Sequence, residues 1–164
     1  MVVGRGKGVR KRLGELCVPT LRLYAAQVAA GESPFNTVVP SAVDVAAALD
    51  PPTDRFALFE HLGDVPVALV VSVDLAEVAS MDKDLDRVGL VTGASIYPLV
   101  ANILLAARAE GLGGVVTTAV VPAEAEVRHL LDLPDTHAVA ALIPLGVPVR
   151  QLTRLTRLPV EEFT

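Results

Sequence analysis

Three glycines at alternate positions, Gly4, Gly6 and Gly8, follow Val2 and Val3 and are the first residues whose spacing suggests chemistry. A glycine loop at a helix start lets the backbone approach a pyrophosphate. The spacing fails here. The dinucleotide fingerprint needs its third glycine where Val9 stands, and the phosphate-loop pattern needs a Lys-Ser/Thr pair that is absent, so the series reads as a turn. His61, His129 and His137 fall in different segments, with no two spaced as metal ligands on one helix face. Ser41, Ser72, Ser80 and Ser95 lie outside any Gly-x-Ser-x-Gly elbow, so hydrolase chemistry has no support. Cys17 sits among leucines with no His partner following it and reads as a buried, inert thiol. The basic group Arg5, Lys7, Arg10, Lys11 and Arg12 reads as a solvated helix face, since Glu15 follows at once and no aromatic residue is interleaved to stack on bases.

The composition sets the frame for these residues. A chain of 164 residues with 52% hydrophobic residues fills one globular domain. A net charge of -5 excludes a general nucleic-acid binder, which needs clustered cations over a whole face. One cysteine excludes an intrachain disulfide and fits a reducing cytoplasm. The stretch from Val88 to Ala107 carries no charge, but Gly89, Thr92, Gly93, Ser95, Pro98 and Asn102 dilute it and no aromatic belt flanks it. It reads as a buried helix of a protein with no membrane span.

The elements follow from periodicity. Val2 and Val3 end a strand, and Val9 to Leu23 has helical spacing that Pro19 should bend or end. Ala30 to Pro52 reads as loop, short helix over Val43 to Leu49, and loop; Arg55 to Leu62 is a further short helix closed by Gly63. The β-branched run Val65 to Val73 reads as a central strand buried on both faces. Ala94 to Glu110 places Ile96, Val100, Ile103 and Ala107 on one face, with Gly111 to end the helix left-handed and Pro98 implying a kink or a late start. A strand over Gly113 to Thr118, a helix opened by Pro122 and a strand over Ala138 to Val147 complete a mixed α and β pattern. Beyond Pro148 the chain becomes a polar, basic arm.

The run GASIYPLVANILLAARAEGLGGVVTT, followed by PAEAEVRHLLDLPD, AALIPLGVP and TRLPVEEF, resembles the flavin-dependent nitroreductase family in order and spacing. VVGRGKGVRKRLGEL and VPVALVVSVD resemble the family's early strand and helix and its Pro-Val strand, so the resemblance covers most of the chain. It implies an α+β fold with a mixed central sheet flanked by helices, as a homodimer. The family opens with an Arg-Arg-Ser helix that grips the flavin phosphate and a Ser/Gly-rich loop with Asn that touches the ring. Neither precedes Met1, so residues 1–164 read as one nitroreductase-like domain, N-terminally incomplete, with a C-terminal arm over 149–164.

The resemblance also implies a function. FMN would accept hydride from NADH or NADPH and pass it to a small electron-poor acceptor such as a nitroaromatic or a quinone, with no obligatory catalytic side chain. Val116, Thr117 and Thr118 would present backbone groups to the flavin ring edge, although relatives frequently carry Trp where Val116 stands. Arg157 matches the basic residue that reaches the cofactor phosphate, with Arg154 in reserve. The apolar face of the helix over Ala94 to Glu110 exceeds what one small sheet needs, which fits a helix-mediated homodimer. The alternative is a degenerate, flavin-free dimeric scaffold or binding protein of the same fold.

Overall fold

The computed structural model describes residues 1–4, 6–47, 56–151, 153–154 and 156–162. The chain runs β1 (Val2–Gly4), α1 (Lys7–Ala29), α2 (Ala57–Glu60), β2 (Val67–Asp74), α3 (Ile96–Ala109), β3 (Gly113–Gly114), α4 (Glu124–Leu131) and β4 (His137–Gly146). Four strands form one sheet in the order β1-β2-β4-β3, and every strand pairing among the described residues is antiparallel. This is the expected α+β arrangement of a sheet flanked by helices, with antiparallel pairing throughout the described strands where a mixed sheet was expected.

Strand alternation divides the core in two. On one face Ala68, Val70, Val139 and Leu142 pack against Leu13, Leu16 and Cys17 of α1, Leu62, and Val127 of α4. On the other, Leu69, Val71, Ala141 and Ile143 meet Val100 of α3, with Ile96, Ile103 and Leu104 around them. β2 is therefore interior and covered on both sides, as its continuous β-branched run requires.

The two prolines in helices act through position. Pro19 does not end α1, which continues to Ala29. Pro19 lies on the exposed face, where water reaches the Glu15 carbonyl that the missing N–H leaves without an intrahelical donor. Pro98 falls in the first turn of α3, where no intrahelical donor is required, so the late start is the one adopted. A 3-10 turn over Val91–Ala94 leads into it. At the far end Gly111 takes φ +77 and donates to Arg108, while Leu112 donates to Ala107, closing the helix as its sequence predicts.

Two short elements and one side chain differ from expectation. The helix expected over Val43 to Leu49 is a 3-10 turn at Val45–Ala47, with residues 48 and 49 outside the described set. The helix expected from Arg55 to Leu62 is α2 followed by a 3-10 turn at Leu62–Asp64 that contains Gly63; Arg55 lies outside the described residues. Arg10 is not part of a solvated face. It is 8% exposed and donates to the carbonyls of Gly4 and Gly63, tying α1 to β1 and to that turn. Its neighbours Lys7, Lys11 and Arg12 pair with Asp64 and Glu15 at the surface; Arg5 lies outside the described residues.

The long connection from β2 to α3 is organised by Asp82, which is 4% exposed. Its carboxylate accepts from the amides of Leu90 (2.7 Å) and Val91 (3.3 Å), from Arg87 Nη1 (2.7 Å) and from Ser80 Oγ (3.3 Å). The Leu90 amide foremost, then Arg87, hold its pKa down at about 2. A carboxylate with a folded pKa below its unfolded value stabilises above the unfolded value, and that stability is lost as pH falls toward the folded pKa. Asp82→Asn is therefore expected to lower Tm at pH 7 and to flatten the wild-type fall in Tm between about pH 4 and pH 2. Thermal melts of both proteins across that window check it; parallel acid limbs would remove Asp82 from the account.

Candidate functional site

The strand expected over Gly113 to Thr118 is interrupted, and the interruption defines the site. β3 pairs Gly113 with Gly146 and Gly114 with Leu145, and an isolated bridge joins Thr117 to Leu142 in the same register. Val115 thus falls opposite Pro144, which has no N–H to give, so the ladder cannot close there. Thr117 restores it, donating to and accepting from Leu142 at 2.9 Å each.

In an antiparallel pair, the residues flanking a doubly bonded one direct their amides away from the partner strand. Val116 and Thr118 therefore aim their N–H groups at the open edge of the sheet, because β3 is the last strand in the order. The segment is firmly held from behind. Thr117 Oγ1 accepts from the Ala119 amide at 3.1 Å, the Thr118 carbonyl accepts from Val121 at 2.9 Å, and Ala119 and Val120 are buried. Two outward amides on a rigid edge are a place for the acceptor atoms of a planar ligand, with Val116 half-exposed beside them.

Next to this edge lies a cavity of about 720 Å3, walled by Leu104 and Leu105 of α3, by Val115, and by Leu145 at the end of β4. That volume falls within the range of roughly 300–1,000 Å3 typical of small-molecule sites. Arg108, Arg150 and Gln151 supply its polar rim, none of which stood out in the sequence. The signal that could have found Arg108 is its place at the end of α3, just before Gly111.

The other predicted ligands lie on the arm. Arg154 and Arg157 are exposed, Arg157 Nη1 donates to the adjacent Thr156 carbonyl at 3.4 Å, and no described contact joins either residue to Val116, Thr117 or Thr118. The structure thus assembles the amide edge and carries the two arginines on a separate segment.

The remaining candidates resolve as structural. Cys17 is fully buried, and desolvation pushes its thiol up to about 12, so it is inert. Among the described residues no group of three His, Cys, Asp or Glu could hold a metal ion. One constellation escaped the sequence: Ser72 Oγ lies 3.2 Å from His137 Nδ1, and His137 Nε2 lies 3.9 Å from Asp74. It arises because Asp74 and His137 are register partners. The nearby amides of Leu75, Ala76 and His137 are bonded to Thr136, Asp74 and Pro134, so none is free to hold an oxyanion.

The segment Val91–Ala109 is 19 residues long and apolar enough to cross a membrane by length and composition. The helix is not the buried one its sequence suggests: only Val100 and Ala107 of α3 are buried, and the face that meets the sheet does so through Val100 with Ile96, Ile103 and Leu104 around it.

Comparison with known proteins agrees with this architecture. A search of curated proteins finds no match. Among solved structures, the chain is similar to the NADPH:FMN oxidoreductase of Vibrio harveyi complexed with NAD+, with a TM-score of 0.59 and 21% identity over 99% of this chain and 56% of the other. It is similar to a hypothetical oxidoreductase from Bacillus subtilis, with a TM-score of 0.59 and 18% identity over 99% and 54%. It is also similar to an iodotyrosine deiodinase bound to FMN and 3-iodo-L-tyrosine, with a TM-score of 0.58 and 17% identity over 97% and 71%. The chain spans little more than half the length of the first two. The nitroreductase family matches over residues 2–147, which takes in both faces of the core and the amide edge, and the chain belongs to that family.

Proposed function

We propose that the chain binds FMN along the Val116–Thr118 edge and serves as an oxidoreductase taking NADH or NADPH as donor. The observation that carries this is the pair of outward amides on a rigid sheet edge beside an apolar cavity. The donor set fits the cofactor: amides suit the oxygen- and nitrogen-rich edge of an isoalloxazine, and a guanidinium suits a phosphate. When bound, FMN supplies hydride chemistry, from reduced nicotinamide to an electron-poor acceptor such as a nitroaromatic or a quinone.

The chain's own residues bind and orient. The Val116 and Thr118 amides favour negative charge on the ring edge, and the Thr117–Leu142 bonds keep those amides in place. Arg157, with Arg154 in reserve, supplies the phosphate ligand from the arm. Leu104, Leu105 and Leu145 give the neighbouring cavity an apolar wall. A single buried thiol fits a cytoplasmic setting.

A homodimer belongs to this reading. α3 buries only Val100 and Ala107, while Tyr97, Leu99 and Leu105 are 49%, 51% and 64% exposed. An unpartnered apolar face of that kind marks a protein interface. Light scattering is expected to give twice the 17.2 kDa chain mass; a stable monomer would contradict it. A flavin-free dimeric scaffold is the second reading, favoured by the separation of Arg154 and Arg157 from the edge. Acceptor-dependent oxidation of NADH or NADPH after incubation with FMN separates the two: turnover supports the enzyme, and its absence with every donor and acceptor supports the scaffold.

A further inference from the structure

The arm that carries Arg154 and Arg157 touches the body at its root. Pro148 lies against Gly113, where an added Cβ would come within 2.9 Å of Pro148 Cβ, so only glycine lets the chain pass so closely. Three residues on, Gln151 makes two bonds. Its Oε1 accepts from Arg108 Nη1 at the end of α3, and its Nε2 donates to the Leu112 carbonyl at 3.4 Å in the turn between α3 and β3. The side chain thus bridges a helix end and the turn that leads directly into Val116–Thr118. The described arm residues beyond it are exposed.

We infer that Gln151 is a positioning residue for the flavin site, a clamp that fixes the arm's course relative to the amide edge and so sets where Arg154 and Arg157 are delivered. The inference rests on the flavin reading for its functional consequence and on the two hydrogen bonds for its geometry. A flexible arm carrying a phosphate ligand loses part of its binding to the ordering of the arm, and a clamp at the root removes that loss in advance. Arg108 gives the clamp a charged donor, which makes that bond the stronger of the two. Gln151 contacts neither flavin-facing amide, but it lines the rim of the neighbouring cavity and bonds the turn before β3, so the contribution that runs through the arm is the part that removing Arg154 and Arg157 abolishes.

Two measurements test it. FMN dissociation constants, from quenching of flavin fluorescence, are expected to rise about tenfold in Gln151→Ala, the loss of one bond to a charged group, and to stay within about threefold in Gln151→Glu, which still accepts from Arg108. In a background with Arg154 and Arg157 both changed to Gln, Gln151→Ala is expected to add less than about twofold, since no phosphate ligand is left to position. An undiminished tenfold loss in that background, or no loss in the parent, overturns the inference. Trypsin cleavage after Arg154 and Arg157, read in flavin-free protein, tests the clamp even if the parent binds no FMN. Cleavage at least about fivefold faster in Gln151→Ala supports a root anchored by Gln151, as expected when local opening becomes easier; equal rates overturn it.

Discussion

Replacing Val116 by proline is expected to weaken FMN binding roughly 10- to 100-fold, the loss that follows from removing one hydrogen bond to a charge-bearing acceptor. Proline deletes the amide and leaves the carbonyl. Because the Val116 N–H points away from β4, the substitution costs no bond in the sheet, and edge strands tolerate proline at such positions. Val116→Ala, which keeps the amide and shortens the side chain, is expected to stay within about threefold of the parent. Isothermal titration with FMN reads both. If alanine weakens binding as much as proline does, the side chain is the ligand and the amide edge is not.

A second large effect concerns the layer behind the site. Alanine at the interior of a helix normally gains up to about 1 kcal/mol over glycine. At Gly14 the sign is expected to reverse, with a net loss of about 2–3 kcal/mol and a Tm lower by roughly 4–12 °C. The reason is contact: an added Cβ would overlap the Phe59 carbonyl oxygen and lie 3.1 Å from Leu62 Cβ. The neighbour that would have to move is backbone of α2, just before the turn that Arg10 holds through the Gly63 carbonyl. Gly8→Ala, on the same helix, is the control, since nothing lies within 4 Å of its added Cβ; its Tm is expected to stay level or rise. Equal effects at the two positions would show that α1 does not pack against α2 this closely.

The contrast between these glycines marks what the sequence discloses. α3 and its Gly111 terminus were legible because a 3.6-residue apolar period and a left-handed stop are local signals. β2 was legible as a central strand because burial on both faces leaves a continuous β-branched run. Long-range facts were not. Nothing near Val115 announces that it falls opposite Pro144 and breaks the ladder, and nothing near Pro19 announces that its helix continues on a solvated face. Arg10 read as a surface charge because its partners, Gly4 and Gly63, are separated along the chain and meet it only in the fold. The same holds for Gln151, whose contacts with Arg108 and Leu112 are 43 and 39 residues away. The candidate edge was located through the resemblance of Val116–Thr118 to a family segment; the outward direction of two of its amides follows from the register, because Val116 and Thr118 flank the doubly bonded Thr117 on the last strand of the sheet.

The central claim is that this chain holds FMN, and the most direct measurement is the visible absorption spectrum of the purified protein before and after incubation with FMN and gel filtration. The account predicts a retained flavin band corresponding to about one FMN per chain, one site per amide edge. Protein that stays colourless after incubation would contradict it and leave the flavin-free dimeric scaffold as the function of this fold.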